Sequence, residues 1–165
     1  MDRVIAAFLV TFAICAAPAA AQDRPAPAVE VAAGALFFPD DGLATEGFAG
    51  GAGRFYVSRL VSVGPEIGYV NGQHHSHLIL TGNVTVDLAD PDGPVTPFVV
   101  AGAGLFRTSE QTPNNLTATH TEGAFTAGGG VRGRIGTRVF VGAEARIGWE
   151  THVRVNGFLG VRLGR

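Results

Sequence analysis

Between Arg138 and Glu150 the chain divides by parity. Val139, Val141, Ala143, Ala145, Ile147 and Trp149 are apolar, while Arg138, Phe140, Gly142, Glu144, Arg146, Gly148 and Glu150 are mostly polar or small. A strand sends successive side chains to opposite faces, so this segment presents one apolar face and one charged face. The pattern recurs up the chain and predicts strands over 28–38, 47–58, 61–70, 76–89, 95–108, 121–133, 138–150 and 152–164. Several exceed the roughly 9–11 residues that a tilted strand needs to cross hydrocarbon. No helical periodicity competes, and the abundant glycine and valine are poor helix formers. The expected fold is all-β: an eight-stranded antiparallel up-and-down transmembrane β-barrel, closed because only closure pairs every backbone group in lipid.

Alternation alone fits a membrane barrel and a soluble lipocalin-like barrel equally, since each has one polar and one apolar face. The composition of the polar face separates them. It holds Ser62, Gly64, Glu66 and Gly68 on one strand, and Thr126, Gly128, Gly130 and Arg132 on another. A solvated face favours Thr, Lys, Glu and Gln, whereas glycine weakens a strand and is explained by the crowding inside a narrow barrel. Parity collects Glu30, Arg54, Glu66, Asp87, Arg132, Glu144, Arg146, Arg154 and Arg162 on that face, an expected ion-pair network in a plugged polar lumen. Turned outward, each arginine near the midplane would cost roughly 2–4 kcal/mol. The lipid-facing set is then Val61, Val63, Ile67 and Tyr69, then Leu78, Leu80, Val84, Val86 and Leu88, then Val153, Val155, Leu159, Val161 and Leu163, with Phe37, Phe55, Tyr69 and Trp149 near strand ends as interfacial aromatics. Gly51, Gly53, Gly123 and Gly129 leave that face thin on two strands.

If the N-terminus is periplasmic, the outward connections are 39–46, 71–75, 109–120 and a tight turn at Thr151. The periplasmic ones are 59–60, 90–94 and 134–137. Three of the four outward loops are then at least as long as any periplasmic one, in line with bacterial barrels. The longest, Ser109 to His120, is where a surface partner is expected to bind.

At the N-terminus, Arg3 precedes the apolar run Val4 to Ala17, and Ala19-Ala20-Ala21 before Gln22 offers an A-x-A cleavage site. Residues 1–21 are therefore expected to be a signal peptide, 22–27 a flexible lead-in and 28–165 the outer-membrane β-barrel domain. Cleavage removes Cys15, the only cysteine, and with it any disulfide or thiol chemistry. It also removes Asp2 and Arg3 together, so the net charge stays at −2. That balance suggests no nucleic-acid partner. Export through the periplasm to the bacterial outer membrane, contact with outer-membrane lipid and a monomeric state are expected.

Thr96-Pro97-Phe98-Val99-Val100-Ala101-Gly102-Ala103-Gly104-Leu105-Phe106, the triplet Gly128-Gly129-Gly130 before Val131-Arg132, and the closing Gly157-Phe158-Leu159-Gly160-Val161-Arg162 together resemble the small outer-membrane β-barrel domain family of OmpA-type and opacity-like barrels. The resemblance spans nearly all of residues 28–165. It implies an eight-stranded barrel in the cell envelope, and it carries no defining catalytic motif. Members commonly end in Phe or Trp, whereas here Leu163-Gly164-Arg165 closes the chain.

Candidate chemistry is sparse. His74, His75 and His77 flank Ser76 in the one dense cluster of reactive side chains. Close neutral imidazoles suit a transition metal, and a His-Ser pair with Glu66 would make a hydrolase of the lipid A-modifying type. The H-x-S-N arrangement of barrel-embedded lipid A deacylases is absent, because His77 follows Ser76, and a solvated surface loop is the expectation for His74, His75 and His77. No catalytic residue, metal site or cofactor is expected. The function expected from sequence is a non-enzymatic integral outer-membrane β-barrel protein with an envelope-structural or surface-contact role. The alternatives are a soluble periplasmic lipocalin-like barrel with inward Val and Leu around a small apolar ligand, and a barrel-embedded lipid A-modifying hydrolase.

Overall fold

A strand with one apolar face has to bury that face in something, and its backbone has to find partners along both edges. In the computed structural model, which describes residues 24–38, 44–72, 75–111, 117–149 and 152–164, closure of a single sheet meets the second demand. The expected signal peptide, His74 and the Thr151 turn lie outside the described residues. The strands are β1 (Ala28–Phe38), β2 (Ala44–Tyr56), β3 (Val61–Asn71), β4 (His75–Asp87), β5 (Val95–Gln111), β6 (Thr117–Ile135), β7 (Val139–Gly148) and β8 (His152–Arg162). Each pairs antiparallel with its sequence neighbours, and β1 pairs with β8 from Ala28↔Arg162 to Phe37↔Val153. An even number of strands brings residues 28 and 162 to one end of the barrel, called here the terminal end.

The apolar parity faces out. Val31, Ile67, Leu80, Val155 and Leu159 are all exposed on the wall, whereas Arg54, Glu66, Asp87, Arg132, Glu144, Arg146 and Arg154 are buried. This excludes the soluble alternative, whose valines and leucines would have lined an internal pocket. An apolar wall of this extent needs hydrocarbon around it rather than water.

Inside, two apolar clusters accompany the charges. Leu36, Phe48, Val70, Ile79, Phe106 and Ala124 form one, and Ala28, Phe98, Val100, Phe140 and Phe158 the other. Some inward glycines admit those rings, while others, such as Gly34, Gly64 and Gly104, leave room for the backbone of the neighbouring strand. A Cβ on Gly160 would fall on the Phe140 ring and one on Gly142 on the Phe158 ring, and these two pairs sit directly opposite each other across β7 and β8. On the outer parity the space is open: Gly47, Gly82 and Gly123 would meet nothing within 4 Å. Gly136 in the β6–β7 turn, where φ is +73°, is needed for its conformation.

Ahead of β1, Pro25 is buried, and the Leu163 N–H donates to the Pro27 carbonyl at 2.6 Å, extending the β1–β8 ladder. The structure corrects two boundary expectations. The outer loop expected over 109–120 is mostly strand, with β5 running to Gln111, β6 starting at Thr117, and those two residues paired. Its polarity suggested a loop, but Thr117, Thr119 and Thr121 are good strand formers, and beyond the bilayer both faces of a strand can be polar. β5 and β6 accordingly reach 17 and 19 residues. Loop lengths do not alternate either, since the connections at the far end shrink to 39–43, 72–74, 112–116 and 149–151, and the longest one, 88–94, lies at the terminal end. In that connection the Asp92 N–H donates to Asp90 Oδ1 at 3.0 Å and the Gly93 N–H to the Asp90 carbonyl at 2.9 Å, forming a self-contained turn.

Candidate functional site

Even residues of β1, β2, β3, β6, β7 and β8 and odd residues of β4 point inward, so charges from seven strands meet along the barrel axis. At mid-height Glu66 on β3, Glu144 and Arg146 on β7 and Arg154 on β8 form a closed ring of alternating charge. Arg146 contacts Glu66 and Glu144, each at 2.9 Å, and Arg154 contacts the same two carboxylates at 2.5 and 3.1 Å. Asn83 Nδ2 donates to Glu66 Oε2 at 2.7 Å and Arg146 donates to Asn83 Oδ1 at 3.3 Å, so one amide joins the ring through both of its ends. The Arg154 guanidinium also lies 4.5 Å from the centroid of the Phe48 ring, within cation–π range.

Smaller groups flank the ring. Arg54 donates to Glu30 at 2.8 and 3.3 Å and to Ser62 Oγ at 3.4 Å. Arg132 pairs with Asp87, and Tyr56 bridges them by donating to Asp87 Oδ2 at 3.0 Å while accepting from Arg132 at 2.9 Å. Arg162 reaches out of the lumen to Asp92 and the Pro91 carbonyl, and so ties the end of β8 to the 88–94 turn. Two cavities lined by these residues measure about 20 Å³ each, room for about one water apiece.

The histidine cluster is placed differently from the sequence expectation. His75 opens β4 and His77 is buried with its ring beside Phe106, so the solvated-loop assignment is corrected for both. The strand begins earlier than the polar run suggested because His75 and Ser76 pair with Glu110 and Ser109 on the extended β5. Parity then separates the reactive groups: His75 and His77 face inward with Ile79, whereas Ser76 belongs to the opposite face. Glu66, the third member of the supposed hydrolase, is held by two arginines. No serine–histidine pair forms among the described residues.

Several participants were missed from sequence. Glu46, assigned to a loop, is buried on β2 and contacts His75, with His77 Nε2 3.6 Å from its other oxygen. Its parity with Phe48, Gly50 and Arg54 is the signal that would have found it. Tyr56 and Asn83 share the inward parity of their strands in the same way, but neutral residues give no charge pattern to notice. At the terminal end a cleft of about 430 Å³ is lined by Arg24, Arg59, Asp92, Arg134 and Arg162 among others, and there Arg59 pairs with Asp90 at 3.0 Å.

Comparison with known proteins agrees with this architecture. The family model described as "Outer membrane protein beta-barrel domain" matches residues 6–162. No curated protein matches. Among solved structures, Neisserial surface protein A is similar with a TM-score of 0.69 and 12% identity, covering 83% of this chain and 96% of that one. The N-terminal β-barrel domain of Pseudomonas aeruginosa OprF gives a TM-score of 0.65 at 14% identity, covering 86% of this chain and all of that domain (100%). A de novo designed transmembrane β-barrel gives 0.53 at 21% identity, covering 86% and 98%. At these identities the likeness concerns the fold.

Proposed function

This chain belongs to the outer membrane protein β-barrel domain family and is an integral protein of the bacterial outer membrane, where we propose that it is a non-enzymatic, non-conducting envelope barrel. Its apolar wall is solvated by outer-membrane lipid. The molecule works as a monomer and offers the β5–β6 hairpin as its surface contact, with the tip between Gln111 and Thr117 as the place for a partner. The observation that carries this reading is the Glu66–Arg146–Glu144–Arg154 ring across the lumen, beside cavities of only about 20 Å³. An ion crossing such an interior would have to break buried pairs that hold each other in place. The separation of Ser76 from the histidines by strand parity, together with the capture of Glu66 by two guanidiniums, favours the absence of hydrolytic chemistry.

Planar-bilayer recording of the folded protein is the direct test. No stable conductance is expected, and a persistent large conductance would refute the closed lumen. Mass spectrometry of lipid A from cells with and without the protein should show identical acylation. A difference that disappears with Ser76→Ala would overturn the non-enzymatic assignment.

A further inference from the structure

The mouth of the barrel opposite the terminal end holds a group that neither envelope structure nor surface contact requires. Glu46 near the start of β2 and His75 and His77 at the start of β4 each aim one ligand atom at a common point, and the three atoms lie within 4.8 Å of one another. His75 and His77 are two residues apart, hence on one face, and β3 sets the spacing to Glu46 through the pairs Phe48↔Val70 and Val70↔His77. We propose that Glu46, His75 and His77 form a binding site for a divalent transition metal of the zinc type.

Three independent features of the site favour a metal. Among the described residues, the other buried lumen carboxylates, Glu66, Asp87 and Glu144, each have an arginine against them, whereas Glu46 is paired with imidazoles. Its side chain is only 5% exposed, and its Oε2 atom is buried without a hydrogen-bond partner. A buried carboxylate oxygen left in that condition is costly, and a cation supplies what it lacks. The second feature is the orientation of His77. Nδ1 lies 3.0 Å from Thr108 Oγ1, a hydroxyl able to accept the Nδ1 proton and so leave the Nε2 lone pair facing Glu46, the arrangement of metal-ligating histidines held by an outer hydrogen bond. The third is space. Gly72 sits beside the cluster, where a Cβ would come 2.5 Å from Glu46 Oε1 and 2.9 Å from His75 Nε2. The cradle exists because that position has no side chain.

Ligand chemistry selects the metal class. Two imidazoles and one carboxylate suit zinc and its neighbours, while calcium and magnesium demand oxygen ligands in greater number. Tetrahedral ligands at about 2.0–2.1 Å from zinc lie roughly 3.3 Å apart, so the three atoms, now within 4.8 Å of one another, need to draw together by about 1.5 Å at most. One carboxylate and two neutral imidazoles around a dication leave a net positive charge and an open coordination position toward the mouth. The Phe106 and Phe38 rings, with centroids 4.8 and 6.0 Å from that of His77, flank the site.

The test uses the folded protein in detergent, without a histidine tag, equilibrated with zinc chloride and then dialysed. One zinc per chain is expected on metal analysis, with a rise in the unfolding temperature that magnesium and calcium chloride do not produce. His77→Ala and Glu46→Gln should abolish both effects, and His75→Ala, at a partly exposed position, supplies a variant whose folding is less at risk. Folding of each variant is checked by heat-modifiable migration on gels. His120→Ala is the control, because that imidazole is exposed and pairs with Glu122, at 2.7 Å. Thr108→Val, which removes the outer hydrogen bond, should weaken zinc binding by about 10–100-fold. Substoichiometric retention, zinc binding that survives His75→Ala and Glu46→Gln, or equal loss in His120→Ala would each overturn the site.

Discussion

Replacing Arg146 by Met tests whether the ring of alternating charge stabilises the barrel as a unit. In the native lumen two carboxylates and two guanidiniums sum to zero, and Arg146 touches both Glu66 and Glu144 at 2.9 Å. Met fills most of the volume but leaves Glu66 and Glu144 sharing Arg154 alone, with one uncompensated negative charge away from water. Breaking a buried pair in this way costs about 3–5 kcal/mol, much of it the desolvation of the partner left behind. Adding Glu144→Gln restores neutrality and leaves Glu66 against Arg154 at 2.5 Å. The double variant should therefore be more stable than the sum of the two single losses, by about 2–3 kcal/mol, the upper part of the range for coupled neighbours. Equilibrium urea unfolding in lipid vesicles measures all four corners of the cycle, and Trp149, the chain's one tryptophan, reports insertion by fluorescence. Losses that simply add, or an Arg146→Met variant within about 0.5 kcal/mol of wild type, would show that the ring is spectator geometry.

Three further outcomes follow from the wall, the packing and the terminal-end turn. Leu80 lies mid-strand on the exposed face, so Leu80→Arg should destabilise the inserted barrel by about 2–4 kcal/mol, and a negligible change in vesicle unfolding would argue that this face does not meet hydrocarbon. Gly160→Ala drives a methyl into the Phe140 ring and should cost about 1–3 kcal/mol, whereas Gly123→Ala points into open space and should stay within about 0.5 kcal/mol; equal effects would refute the packing argument. The Asp92 N–H, seconded by the Arg59 guanidinium, holds the Asp90 carboxyl below the usual carboxylate range. A carboxyl whose pKa is lowered on folding stabilises above its unfolded pKa and loses that contribution as pH falls through the folded value. The stability gap between wild type and Asp90→Ala should thus be present at neutral pH and close below the ordinary carboxylate pKa of about 3.9, and a gap constant down to strongly acid pH would count against this account.

Period-two alternation is a local property, so the residues themselves determined that this chain makes strands, which side chains share a face, and that charges and lipid-facing valines lie on opposite sides. Glycine on the polar parity likewise signalled a crowded interior before any ring was seen to cover it. Pairing across the barrel is not local. That Arg146 meets Glu66 and Arg154 meets Glu144 depends on strand register and closure, and 80 residues separate the first pair in the chain (146 − 66). Strand ends escaped for the opposite reason: the run around Thr117 to Thr121 is polar enough to read as loop, and only the partner strand beside it makes it β. The same extension of β4 and β5 carried His75 and His77 from a supposed surface loop into the mouth, opposite a glutamate that no spacing rule connects to them. Within the strands it recognised, the sequence settled which side chains face inward; tertiary structure decided how far the strands run and which side chains touch, because contact across a closed sheet is set by long-range hydrogen-bond register rather than by neighbours along the chain.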